Sequence, residues 1–331
     1  MTTPCYSSHT IKAEARRLGF FACGVAPAGK LPEAHAAWRE RSLRLGHHAD
    51  MQWLAAHEAL RRDVCALVEG ARCVVSVALP YYTEPHQAHI ARYAQGRDYH
   101  VVMRRRLLHL AQAIGALSPE VSIGRRTPSR GAWGAAFVDT APIDERYWAW
   151  RCGVGFIGRH TQLIVPGAGT YCFLGELVLT APADIYDTPL PLHCPPHCGR
   201  CTAACPMGAL DATGLDARRC LSYLTIEHKG ALPAAAQRAM RESGTCYGCD
   251  ACAEACPYNA RVQATTEADL QPTTALLQRD NWQSMTQEEY AALFAHSAVR
   301  RAGYTGLLRN MAAHSTEKEV AKKIDEEGVR Q

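Results

Sequence analysis

The sequence predicts an α/β domain over residues 1–185, a cysteine-rich module over 186–265 and a helical C-terminal region over 266–331. Three observations carry that division. Helix and strand patterns alternate through the first 185 residues; the composition changes abruptly at DTPLPLHCPPHC, where prolines and cysteines replace apolar strands; and beyond about residue 265 the cysteines cease and short helix patterns return. With 331 residues, 47% hydrophobic and 21% charged, the composition is that of a folded chain.

The elements follow from local pattern. Ile11, Ala15 and Leu18 recur at helical spacing and Gly19 supplies a stop, after which FFACGVA reads as a strand. A second helix runs from about Pro32 to Leu45 and ends at Gly46, and CVVSVAL, Cys73 to Leu79, reads as a buried strand. Next come a helix from about Tyr99 to Ala116, a strand over AAFVD ending at Asp139, a helix near Asp144 to Cys152, and strands over TQLIV and CFLGELVLT. In the last region, EEYAALFAHSAVRRAGYTGLLRNMA and STEKEVAKKIDEE read as short helices packed on the surface.

Apolar runs such as Cys73 to Pro80 fall short of the roughly 20 residues that cross a bilayer, so no membrane partner is expected. The amino terminus lacks a basic start followed by an apolar stretch, and a cytoplasmic, monomeric protein is expected. In a reducing compartment fifteen cysteines point to metal ligation or redox chemistry rather than disulfides. The formal charge of +4 is mild, but ARYAQGRDYHVVMRRR holds five arginines and one acid, with Arg125, Arg126 and Arg130 beyond. That stretch reads either as a phosphate-binding face or as a solvated helix whose arginines pair with acids elsewhere.

Nine of the cysteines fall between Cys194 and Cys256. Cys246-x2-Cys249-x2-Cys252-x3-Cys256-Pro257 has the bacterial ferredoxin spacing for a [4Fe–4S] cluster, in which the cysteine before proline ligates a second cluster. The second set is Cys194-x3-Cys198-x2-Cys201-x3-Cys205-Pro206, the same design with one more residue in the first spacer. Structural zinc also takes four thiolates, but crossed ligation between two clusters explains why both sets end in Cys-x3-Cys-Pro. Eight ligands are needed and nine cysteines are present, so one is surplus. Spacing alone keeps Cys246 and drops Cys220. Cys5, Cys23, Cys65, Cys73, Cys152 and Cys172 read as small core hydrophobes. No GxGxxG after a strand, Walker loop, HExxH or DxHxxG accompanies the clusters, so the residues by themselves stop at an iron–sulfur oxidoreductase.

Beyond that point the chain resembles the epoxyqueuosine reductases, which complete the tRNA nucleoside queuosine. The resemblance lies in RYAQGRDYHVVMRRRL, FVDTAPIDERYWAWRCGVGFIGRHTQLIVPGAGTYCFLGEL, CLSYLTIEHKGALP, YGCDACAEACPYN and SAVRRAGYTGLLRNMA, which span nearly the whole chain. It implies an α/β (α+β) cobalamin-binding domain similar to those of reductive dehalogenases and the vitamin B12-processing chaperone, then a ferredoxin-like double [4Fe–4S] module. It further implies that electrons from an unidentified low-potential donor pass through the clusters to cobalamin and remove the epoxide oxygen of epoxyqueuosine in a tRNA anticodon loop.

By the same resemblance, Asp139 in VDTAP is the proton donor, a role that requires burial to raise its pKa; otherwise it caps the following turn. Cys194, Cys198, Cys201 and Cys256 would hold one cluster and Cys205, Cys220, Cys249 and Cys252 the other, with Cys246 as the spare. Gly153, Gly155, Gly158, Arg159, His160, Thr161 and Gly169 match the cobalamin-lining segment, although the glycines are also read as turns and His160 as a core histidine; Arg159 stands where lysine is expected. Arg97, Tyr99 and His100 are candidates for the substrate or cofactor pocket, and Arg104 to Arg106 suit RNA phosphates. Tyr147, Trp148 and Trp150 either stack on bases or belong to the core. Two other readings are an electron-transfer protein without corrinoid, and a cobalamin-dependent reductase of a small molecule.

Overall fold

The computed structural model describes residues 5–116 and 134–314; Arg125, Arg126, Arg130 and STEKEVAKKIDEE lie outside them. The strands are β1 (Ala22–Pro27), β2 (Cys73–Pro80), β3 (Gly134–Phe137), β4 (Phe156–Ile157), β5 (Leu163–Ile164) and β6 (Cys172–Leu179). Four of them make one sheet in the order β1-β2-β6-β3, and β4 and β5 pair separately. Every neighbouring pair in the sheet is antiparallel. The alternation of helix and strand therefore takes the α+β form. TQLIV yields only the two residues of β5, and β3 ends at Phe137, so Val138 and Asp139 leave the sheet before the next turn.

Period-two packing explains why β2 reads as a continuous apolar run. Cys73, Val75, Val77 and Leu79 enter one core with Ile11 and Ala15 of α1 (Ser8–Arg17) and with Leu107 and Leu110 of the later helix Tyr99–Ala113. Val74 and Ala78 enter the opposite core with Trp148 and Ala149 of helix Glu145–Arg151. A strand covered on both faces has no polar side to display. Tyr147 and Trp148 are part of that second core, at 3% and 2% exposure, so the core reading holds for them rather than base stacking; Trp150 packs partly buried beside it. Ser76 and Glu176, paired across β2 and β6, are the polar residues on this face, and Ser76 Oγ donates to Glu176 Oε1 at 3.1 Å.

Close approach of the chain at Gly24 lets the end of helix Glu145–Arg151 sit on β1. A Cβ there would stand 1.8 Å from the Cys152 carbonyl oxygen. Gly24→Ala is expected to destabilise the protein by about 1–3 kcal/mol, the usual scale of overpacking; an unchanged melting temperature would contradict it.

The remaining cores join distant parts of the chain. Ile90 and Ala94 pack with Cys246, Tyr247, Phe294 and Met311, while helices Leu221–Ile226 and Ala234–Ser243 share a smaller core with Ala217 and Leu232. No helix among the described residues is long and apolar enough to cross a membrane.

Candidate redox active site

The cysteines gather into two sets. Cys201 lies on the short helix Arg200–Ala204, Cys205 ends that helix, and Cys252 lies on helix Ala251–Glu254. Cys194, Cys198, Cys201 and Cys256 line one small cavity together with Arg159, His160, Pro257 and Tyr258. Burial pushes the Cys256 thiol up, the Tyr258 N–H opposes this, and the nearby thiols of Cys194, Cys201 and Cys198 add to the rise.

The second set is Cys205, Cys220, Cys249 and Cys252. Burial pushes Cys252 up to about 12, with Cys249, Cys220 and Cys205 adding to it; Cys249 rises to about 12 with Cys220 and Cys205 among its neighbours. Cys220 is the N-cap of helix Leu221–Ile226, and N–H groups of Tyr223 and Ser222 point at its sulfur. Cys205 Sγ accepts the Ala209 N–H at 3.1 Å.

Cys246 belongs to neither set. It is 2% exposed in the core with Tyr247 and Met311, its carbonyl accepts Asn310 Nδ2–H at 2.9 Å, and its thiol is pushed up to about 12 by burial alone. Spacing would place Cys246 in the cluster loop; the fold instead brings in Cys220 from the preceding helix. Among the described residues no three Cys, His, Asp or Glu side chains converge on a point suited to a single ion.

Asp139 stands where β3 has left the sheet, in the left-handed region at φ 54° with its side chain 55% exposed. Tyr99 donates to its Oδ2 at 2.9 Å and His100 Nε2 lies 3.1 Å from the same oxygen. His100 Nδ1 is 2.7 Å from Asp98 Oδ1, and Asp98 caps helix Tyr99–Ala113 by accepting the His100 N–H. Tyr99 is fixed from behind by Phe173, the rings stacked at 4.4 Å. Glu145 Oε1 accepts the Asp139 N–H at 2.5 Å.

These contacts decide where protons reside. Burial favours the neutral form of Asp139, but hydrogen bonds from His100 and Tyr99 outweigh it and hold the carboxyl below its usual range. Burial lowers His100, yet its bonds to Asp139 and Asp98 raise it to about 9. The sequence reading asked for an aspartate raised by burial; the hydrogen bonds around Asp139 instead favour its charged form and that of His100. Burial and the charge on Asp139 push Glu145 up, and burial, with Glu145 nearby, pushes the fully buried Glu176 well up.

Other predicted residues occupy different places. Arg146, next to Glu145, donates to the Thr161 carbonyl at 2.9 Å and so ties the Asp139 turn to the loop carrying Arg159 and His160. The Thr161 hydroxyl is buried without a partner in the protein. Burial and Arg146 push His160 down to about 4. Gly153, Gly155 and Gly158 abut Thr188, Ile164 and the His160 ring, and Gly169 at φ 67° abuts Asn259 and Val262, so each opens room for the chain itself. Arg97 lies 3.6 Å from Asp269, Arg105 pairs with Asp269, and Arg106 pairs with Glu267 and donates to the Leu18 carbonyl. Of the two readings of the basic stretch, pairing with acids is the one these side chains adopt.

Glu145, Arg146, Glu176 and Asn259 were not singled out by sequence reasoning. The signal available for the first two was their position at a helix start six and seven residues after Asp139; for Glu176 it was a lone carboxylate inside an apolar strand.

Comparison with known proteins adds the family. The model "Epoxyqueuosine reductase QueG, DUF1730" matches residues 61–140 and "4Fe-4S double cluster binding domain" matches residues 193–259, so two [4Fe–4S] clusters belong to the chain. It is 36% identical over 321 residues to the epoxyqueuosine reductase of Cellulophaga algicola, covering 94% of this chain and 99% of that one. Against the Pseudomonas aeruginosa epoxyqueuosine reductase the identity is 37%, covering 93% and 85%. The Streptococcus thermophilus epoxyqueuosine reductase structure superposes with a TM-score of 0.75 at 25% identity, over 96% of this chain and 85% of that one. An epoxyqueuosine reductase crystallised with an epoxyqueuosine-modified tRNA-Tyr stem loop superposes at 0.78 and 22% identity, over 92% and 80%, which shows a shared fold. The double tetrad, the Asp139 cluster and an identity sustained over nearly the whole length together make this chain a member of the epoxyqueuosine reductase family.

Proposed function

We propose that this enzyme deoxygenates epoxyqueuosine in tRNA: two electrons and two protons convert the epoxide to the alkene of queuosine, and the oxygen leaves as water. The observation that carries this reading is a proton-bearing cluster, Asp139 with His100 and Tyr99, joined through Arg146 and the Gly158–Gln162 loop to the cavity of the first cysteine tetrad. An electron-transfer protein that only docks a partner has no need of a charged imidazole held against an exposed aspartate.

Within that reading residues 1–185 carry the substrate-facing site and 186–265 the clusters, and the described residues of the 266–331 region pack beside them. Cys194, Cys198, Cys201 and Cys256 hold one cluster; Cys205, Cys220, Cys249 and Cys252 hold the other. Cobalamin would be held along the Gly158–Gln162 loop, whose Thr161 hydroxyl is buried and has no partner in the protein. When bound, cobalamin supplies a low-potential cobalt able to take electrons singly and deliver them to the substrate. Asp139, Tyr99 and His100 would face the reacting oxygen. His100 holds the proton at Nε2, Asp139 Oδ2 relays it, and Tyr99 keeps the carboxylate aimed. The modified base must leave its stack to reach them.

The experiment is anaerobic reconstitution with iron, sulfide and cobalamin, followed by nucleoside analysis of epoxyqueuosine-containing tRNA treated with a strong reductant. Fully loaded protein that forms no queuosine would overturn the proposal. The pH profile follows from His100: its proton is present below about 9 and lost as pH rises through that value. Turnover is therefore expected to fall on an alkaline limb near pH 9. His100→Gln should lower the rate roughly 100-fold, the scale of acid–base catalysis, and remove that limb.

A further inference from the structure

We propose that His160 donates a hydrogen bond from Nε2–H to a sulfur of the cluster held by Cys194, Cys198, Cys201 and Cys256, raising the reduction potential of that cluster alone; this rests on the cluster assignment above. His160 is 2% exposed and lines the same cavity as the four thiols. Its Nδ1 accepts the Gln162 N–H at 3.1 Å, which places the ring proton on Nε2. That Nε2 is buried and finds no partner in the protein, an arrangement native interiors avoid.

The ring is also held in place. A Cβ on Gly158 would come within 2.7 Å of His160 Cε1 and 3.2 Å of Nδ1, so the Cε1–Nδ1 edge lies on Gly158 and the Gln162 amide, and the Nε2 edge is left for the cavity. The other polar side chains of the lining are engaged elsewhere: Arg159 donates to the Pro196 carbonyl, and the Tyr258 hydroxyl to the His193 carbonyl at 3.3 Å. Among the described residues of this lining, His160 Nε2 is the buried side-chain nitrogen without a protein partner, and the cavity it shares is lined by four thiols. Reduction adds negative charge to the cluster, so an N–H···S bond favours the reduced form and raises the potential. His160 acts through the cluster and is a positioning and tuning residue, not a catalytic one.

The test is an EPR-monitored redox titration of the reconstituted protein, with iron and sulfide assayed on each sample. His160→Leu is expected to lower the midpoint of one cluster and leave the other unchanged, and His160→Asn, which restores an N–H, to recover part of the shift. In wild-type protein labelled with 15N-histidine, pulsed EPR of the reduced cluster should show a 15N coupling and an exchangeable proton. That measurement decides the matter if His160→Leu fails to assemble. Unchanged midpoints at full iron content, or no 15N coupling, would overturn the proposal. Wild-type protein that binds no iron and sulfide would instead remove the cluster assignment on which it stands.

Discussion

Asp139→Asn should abolish nearly all turnover, by about 10²- to 10⁴-fold, while both clusters and the corrinoid still bind. Asparagine keeps the shape and tolerates the left-handed backbone at φ 54°, so strain does not confuse the result as it would with alanine. What it removes is the charge. Without the carboxylate, His100 loses one of its two hydrogen-bonded acids and its pKa should fall from about 9 towards the ordinary histidine value. Tyr99 would keep a hydrogen-bonding partner at the amide oxygen, so the Tyr99–Phe173 stack should persist. The cysteine tetrads lie across the Gly158–Gln162 loop and have no contact with Asp139 that the substitution would break. The checks are single-turnover formation of queuosine by mass spectrometry and iron content on the same sample. Activity within tenfold of wild type would remove Asp139 from the proton path.

The second large effect separates two cysteines that the spacing motif and the fold rank in opposite orders. Cys220→Ala should lose the cluster formed with Cys205, Cys249 and Cys252, with iron and sulfide falling towards half and one EPR signal disappearing. Its sulfur lies among those thiols; burial pushes its pKa up, and N–H groups from the start of helix Leu221–Ile226 oppose that rise. Cys246→Ala should keep full iron and cost only about 1 kcal/mol for the small void left beside Tyr247 and Met311. Full iron in Cys220→Ala together with loss in Cys246→Ala would reverse the assignment.

The two differ in how they could be read. Cys246 lies in the sequence motif because the motif counts residues along one loop, yet the Asn310 side chain fixes its carbonyl and turns the thiol into the core. Cys220 is isolated in sequence, and only the packing of its helix against the module brings it to the tetrad. The strands were legible because burial on both faces leaves a strong mark, as in β2, and the helix stops at Gly19 and Gly46 because both glycines adopt positive φ. The protonation state of Asp139 was not legible. An apolar strand before it suggested burial, but β3 ends at Phe137, the side chain emerges half-exposed, and its partners come from a helix forty residues upstream. Glu145 is only six residues away but was hidden for another reason: its bond runs to a backbone amide rather than to a recognisable motif partner.

Asn259 gives the architecture a consequence of its own. Its Oδ1 accepts the Thr170 N–H at 2.8 Å, and its Nδ2 donates to Thr170 Oγ1 at 2.7 Å and to the Ala253 carbonyl at 2.6 Å. One amide thereby clasps the loop after Cys256 to the approach of β6, the strand that carries Phe173 behind Tyr99. On the proposed electron path, tunnelling weakens steeply with every ångström of separation, so this clasp would hold constant the span between the cysteine module and the strand behind Tyr99.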